Sequence, residues 1–225
     1  MPGRDIRFQN HYLYHIFNKS VEGKHIFNEH RYAKIFLNSA QYYRSLEAQI
    51  RYSDFRRLRK DIKDEWREKV SKMDTFKVSI IAYCLMPTHF HFLIEQNQDG
   101  AIQKYIADVI NSFTRYYNIA CKRVGPLFLP RFKAASVTQD NQLIHVSRYI
   151  HLNPYSSKII SDKYALTSFQ YSSYPHYVTQ VDDPLVQNKR VMELFNYDKK
   201  RYQKFVLENA QYQQTLEAVK HTYKW

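Results

Sequence analysis

The chain is short of cysteine, of acidic residues and of long apolar runs, and each shortage removes a class of protein. Cys84 and Cys121 are the two thiols among 225 residues, too few and too far apart for a disulfide framework or a thiolate zinc site. A reduced, cytoplasmic setting fits them. The longest stretch without Asp, Glu, Lys or Arg runs from Val78 to Ile94. It is broken by Pro87 and carries two histidines, so no membrane span is expected there. The first residues, with Arg4, Asp5 and Arg7, hold no apolar signal core. Internal repeats and low-complexity tracts are absent from the sequence. Acids number 21 against 34 Lys and Arg, a net charge of +13. That excess points to a polyanion, of which nucleic acid is the commonest soluble kind, although generic basicity gives the same figure. What is present, 44% hydrophobic residues over this length, argues against global disorder and for one domain with a sizeable core plus appendages.

The most informative segment is Leu85-Met86-Pro87-Thr88-His89-Phe90-His91-Phe92-Leu93-Ile94. It alternates like a strand, so His89 and His91 emerge on one side and Phe90, Phe92 and Ile94 on the other, facing a core. Two imidazoles at adjacent same-face positions can grip one metal ion, although an isolated His-x-His is as often a pair of ordinary histidines. Around this segment, His11 to Phe17 reads as a first strand, and residues 28 to about 73 as helical. Residues 77–85 and 89–95 form an antiparallel hairpin, 102–122 a helix, 131–137 a fourth strand, and Asp140 caps the helix that follows. This order matches an α+β fold, a ferredoxin-like antiparallel sheet with helices on one face. Helices are appended after about Tyr174-Pro175, with amphipathic character from Arg190 to Lys220. The expected division is a domain over residues 1–175, containing a charged helical stretch at about 45–72, and a helical extension over 176–225. For that charged stretch, a solvated helix and a DNA-contacting arm both fit.

With residues 141–153 helical, Leu143, Val146 and Ile150 line the stripe expected to face the sheet. His145, Tyr149 and Asn153 fall at i, i+4 and i+8 on a second stripe, so a phenol and an amide stand one turn apart on one face. Pro154 puts Asn153 at the helix end. Tyr116-Tyr117 offers a competing phenol, although Phe113 and Tyr117, one turn apart, read as core or groove packing, and an ordinary packed tyrosine is the plain alternative for Tyr149.

The Leu85–His91 block and Tyr149-Ile150-His151-Leu152-Asn153-Pro154 together resemble the HUH single-tyrosine transposases, specifically the REP-associated tyrosine transposase branch of the IS200-like group. Gly125-Pro126-Leu127-Phe128 followed by Arg131-Phe132-Lys133 is similar to a further segment of that family, and the resemblance spans approximately residues 8–175. Thr88 stands where the family often has asparagine or glutamate, and Leu129 where glutamine is common; neither departure removes a ligand. The resemblance implies a metal-dependent single-stranded DNA endonuclease and strand transferase. Tyr149 is the implied nucleophile, and His89, His91 and Asn153 the implied ligands of a divalent cation, Mg²⁺ or Mn²⁺. Mixed imidazole and amide ligation suits Mn²⁺, whereas Mg²⁺ prefers oxygen. The implied product is a 5′-phosphotyrosine with a free 3′-OH, a linkage that a second strand's 3′-OH can reseal without ATP. Related enzymes work as monomers or as dimers, so a homodimer is one of two expected states. A nicking replication initiator with the same chemistry, or a non-catalytic basic nucleic-acid-binding module or repressor derived from such a transposase, are the competing functions.

Composition around these motifs bears on the substrate. Lys122, Arg123, Arg131 and Lys133 bracket the turn and strand before the tyrosine helix and are candidates for backbone phosphates. Tyr116, Tyr117, Phe128 and Phe132 lie near them and could stack unpaired bases, or pack in the core. Duplex DNA hides its base faces, which makes single-stranded or hairpin DNA the expected partner.

Overall fold

The computed structural model describes residues 6–222, the side chains of 218–222 excepted; Arg4, Asp5 and the last three residues of the expected extension lie outside it. Four strands, β1 (Leu13–Lys19), β2 (Val78–Met86), β3 (His89–Gln96) and β4 (Lys133–Val137), form an antiparallel sheet in the order β2-β3-β1-β4. This is the ferredoxin-like order, with the β2–β3 hairpin inserted beside the first strand. Nine helices are seen among the described residues: α1 (His30–Tyr43), α2 (Tyr52–Arg57), α3 (Lys60–Ser71), α4 (Ala101–Ala120), α5 (Asp140–Ser156), α6 (Tyr174–Val178), α7 (Lys189–Glu193), α8 (Lys199–Glu208) and α9 (Ala210–Thr222). None is long and apolar enough to cross a membrane.

The chain divides into two compact units. One comprises the residues up to 79 together with 87–89 and 94–136; the other comprises 80–86, 90–93 and everything from 137 onward. In the first, α1 packs on α4. Phe27, Phe36 and Phe113 meet there with ring centroids 4.9 to 5.3 Å apart, and the Tyr105 hydroxyl donates to the Ala40 carbonyl at 3.2 Å. The Gln96 N–H donates to the Tyr12 carbonyl and the Ser20 N–H to the Thr88 carbonyl, fixing the antiparallel register of β1. In the second unit, α5 packs against α8 and α9. The Tyr177 hydroxyl of α6 donates to the Ile81 carbonyl at 2.7 Å, and the Leu85 N–H donates to the Tyr171 carbonyl at 2.8 Å. The chain from Tyr171 into α6 is therefore tied to the backbone of β2 by hydrogen bonds, while α8 and α9 are held on α5 by packing.

Several local expectations are corrected. The helical region over 28–73 is three helices separated by irregular chain at 58–59 and at 44–51, where the Tyr42 hydroxyl donates to the Ile50 carbonyl and the Tyr43 hydroxyl accepts from the Tyr52 N–H. Asp140 does not cap α5: the cap residue is Gln139, and Gln142 Oε1 instead accepts from the Thr138 N–H and hydroxyl. Pro154 does not end the helix, which runs on to Ser156. Proline forfeits only its own donor and one carbonyl partner, while the Ser157 N–H still reaches the Asn153 carbonyl at 3.0 Å. The buried stripe of α5 also differs. Val146 is only half-buried, whereas Ser147 and His151 are completely buried beside Leu143 and Ile150.

Candidate active site

On β3, the central His-x-His pair stands at alternate positions of an extended strand, which directs both rings to one side. Phe90, Phe92 and Ile94 of the opposite side are wholly buried, as their alternation requires. His89, at the strand's first residue, is half-buried, and the Thr88 hydroxyl lies 3.0 Å from its Nδ1. His91 is only 4% exposed. Its ring meets that of Tyr149 edge-on, with centroids 5.7 Å apart.

Tyr149 is half-buried on α5. Its carbonyl accepts from Asn153 Nδ2 at 2.8 Å, one turn on, and from Gln213 Nε2 of α9 at 3.0 Å. The Asn153 contact orients the amide: its nitrogen faces a carbonyl, so the oxygen is the atom left with ligand chemistry. The Tyr149 hydroxyl donates to Glu217 Oε1 at 3.5 Å. Burial first, and then this carboxylate, push the phenol's pKa up to about 12. A cleft of about 190 Å³ opens beside the phenol, lined by His145, Arg148, Tyr212, Gln213 and Glu217 among others. Arg148 donates to His145 Nδ1 at 2.8 Å and lies 4.4 Å over the Phe205 ring.

The structure thus brings His91, Tyr149 and Asn153 together in the second unit, and puts His89 on the same strand as His91. Among the described residues no three His, Cys, Asp or Glu side chains converge as a metal site. Within the second unit, the His91 imidazole and the Asn153 amide oxygen are donors of the kind that suits a borderline divalent ion such as Mn²⁺.

Residues 50–153 match the family model described as "Transposase IS200 like". Over this segment the chain is similar to the IS200-like transposases. No curated protein matches. Among solved structures, the chain is similar to a REP-associated tyrosine transposase bound to a REP hairpin, at 12% identity and a TM-score of 0.53, over 83% of this chain and 92% of that one. At that identity the likeness speaks for the fold alone.

The residues expected at DNA have varied surroundings. Lys122, Arg131 and Lys133 are exposed. Arg123 braces its own turn, donating to Asn118 Oδ1 and, at 3.0 Å, to the Pro126 carbonyl. Phe132 stacks on Phe8 with centroids 6.2 Å apart. Of the stacking candidates, Phe128 and Tyr117 are core residues at 3% and 6% exposure. Tyr117 packs against Tyr32 and Phe113, whereas Tyr116 is half-buried with the Arg56 guanidinium 5.3 Å from its ring. Residues missed in the sequence are Gln213 and Glu217, whose contacts with Tyr149 span more than sixty positions, and the buried pair Ser147 and His151. Nothing in the local pattern signals the first two. The i, i+4 spacing of the second pair was visible, but polar types at that spacing read as surface.

Proposed function

We propose that this chain cleaves and rejoins single-stranded or hairpin-tipped DNA through a covalent intermediate on Tyr149. The observation that carries the reading is the edge-on meeting of Tyr149 with His91 of the His-x-His strand, with the Asn153 amide one turn away. The competing phenol, Tyr117, is enclosed in an aromatic core, where a bulky phosphodiester has no access. In the proposed reaction the Tyr149 oxygen bonds to phosphorus as the bond from phosphorus to the 3′-oxygen breaks. The phenol loses its proton and the departing 3′-oxygen gains one. A phenol held at about 12 is a weak nucleophile at neutral pH, so positioning and proton removal are what this chain must supply. His89, His91 and the Asn153 oxygen would hold a divalent cation, Mg²⁺ or Mn²⁺, which when bound offsets the charge gathering on the phosphate. With Thr88 at Nδ1 of His89, Nε2 is the nitrogen assigned to the ion, and Thr88 its orienting partner. The exposed bases Lys122, Arg131 and Lys133 are assigned to backbone phosphates. The hairpin held by the structurally similar transposase supports hairpin DNA as the partner. Incubating the protein with single-stranded DNA and Mn²⁺ and looking for a denaturant-resistant protein–DNA adduct tests the proposal. Binding without any adduct would leave the repressor-like alternative standing.

A further inference from the structure

Helix α5 carries a second polar stripe, turned away from Tyr149. Ser147 and His151 are one turn apart and have no exposed surface. Buried polar atoms need partners, and here they form one continuous chain. The Tyr83 N–H of β2 donates to Ser173 Oγ at 2.9 Å. Ser173 Oγ lies 2.8 Å from His151 Nε2, and His151 Nδ1 lies 2.7 Å from the Tyr202 hydroxyl of α8. The Tyr202 hydroxyl reaches Ser147 Oγ at 3.0 Å, and Ser147 Oγ reaches the Ile144 carbonyl at 2.9 Å.

Counting hydrogens gives this chain a direction. The Ile144 carbonyl can only accept, so Ser147 spends its one hydrogen there and must accept from Tyr202. Tyr202 has then spent its own hydrogen, so its oxygen accepts from His151 Nδ1–H. A neutral imidazole has one N–H, which leaves Nε2 to accept from the Ser173 hydroxyl. Ser173 Oγ also lies 3.2 Å from the Tyr83 carbonyl, but that oxygen already receives the Ser173 N–H at 3.0 Å and the Ser172 hydroxyl at 3.3 Å, so the Ser173 hydrogen goes to the nearer His151 Nε2. The rings of Tyr174, Tyr177 and Tyr202 surround the imidazole, an enclosure that favours the neutral ring.

We propose that His151, as its Nδ1–H tautomer, is the positioning residue of the tyrosine helix, tying α5 to β2 through Ser173 and to α8 through Tyr202. The reason is geometric. A residue two positions from Tyr149 lies about 200° around the helix axis, so any rotation that frees His151 swings Tyr149 by the same angle. The phenol oxygen stands roughly 9 Å from that axis, and a turn of only about 10° moves it by about 1.5 Å, enough to cost about a hundredfold in a reaction that depends on alignment. This role rests on the reading of Tyr149 as nucleophile.

The test uses the full chain and two conservative variants. Tyr202→Phe keeps the ring but removes the acceptor for Nδ1, and His151→Asn keeps a donor in the Nδ1 position, with His151→Leu as the variant lacking both. Single-turnover adduct formation on saturating single-stranded DNA with Mn²⁺ should fall at least about tenfold in Tyr202→Phe and further in His151→Leu, with partial recovery in His151→Asn. DNA affinity should stay within about twofold, because phosphate contacts set it. Two NMR readouts do not depend on catalysis. A long-range ¹H–¹⁵N spectrum at neutral pH should show the His151 proton on Nδ1, and the proton on Nε2 would overturn the tautomer. The His91–Tyr149 ring-to-ring Overhauser contact should weaken in folded Tyr202→Phe, and its persistence unchanged would overturn positioning. A wild-type protein that forms no adduct yet passes both NMR tests would contradict the nuclease reading alone.

Discussion

Acid should unfold this protein through His151, and the size of the effect can be worked out. Burial pushes the imidazole down to about 3, whereas in the unfolded chain it titrates near ~6.5. The folded value lies below the unfolded one, so between these limits the unfolded chain binds the extra proton. Stability is therefore complete above ~6.5 and is lost as the pH falls. Each pH unit in the window costs about 1.4 kcal/mol, so the loss from pH 7 to pH 5 is about 2 kcal/mol, a large share of the ~5–15 kcal/mol typical of a domain. His15, half-buried on β1 and pushed to about 4 by burial, adds a loss of the same sign and of nearly the same size over this window, because its folded value also lies below pH 5. Urea unfolding at pH 7, 6 and 5, on wild type and His151→Asn, measures it. The wild type should lose about 2 kcal/mol more than the variant between the two ends, and the variant should keep the share owed to His15. Equal pH slopes in the two proteins would show that His151 is not held neutral by burial, and the reasoning would fail.

Replacing His89 and His91 together with alanine should abolish metal-dependent cleavage while leaving salt-sensitive DNA binding; undiminished cleavage, or full activity in excess chelator, would remove the cation from the proposal. With a net charge of +13, binding to any DNA should weaken steeply with salt, yet only single-stranded or hairpin DNA should be cut; equal cutting of plain duplex would favour a general nuclease. Glu217→Gln should lower the Tyr149 pKa from about 12 without returning it to ~10, because the carboxylate goes but burial stays. An NMR titration of ¹³C-labelled tyrosine reads the change, and an unmoved resonance would refute the Tyr149–Glu217 contact.

The motifs were legible where chemistry follows a short period. The His-x-His strand could be read because alternation over eight residues separates its faces, and the Tyr149–Asn153 spacing because four residues make one helical turn. The sheet order followed from the succession of elements. The inner face of α5 was not legible: polar types usually mark the solvent side, and Ser147 and His151 are buried only because Ser173 and Tyr202 arrive from distant sequence to satisfy them. Pro154 pointed to a helix end, but a proline in the last turn costs little when the following N–H groups still find carbonyls. Glu217 could not be found at all, since its meeting with Tyr149 is made by tertiary packing of α9 on α5.

The central claim is that Tyr149 carries the DNA. Wild type, Tyr149→Phe and Tyr117→Phe should each be incubated with single-stranded DNA and Mn²⁺, denatured, digested and analysed by mass spectrometry for a nucleotide-bearing peptide. The account predicts an adduct on the peptide containing Tyr149 in wild type and in Tyr117→Phe, and none in Tyr149→Phe, whose DNA affinity and stability stay close to wild type. An adduct that persists in Tyr149→Phe, or that maps to the peptide containing Tyr117, would contradict it.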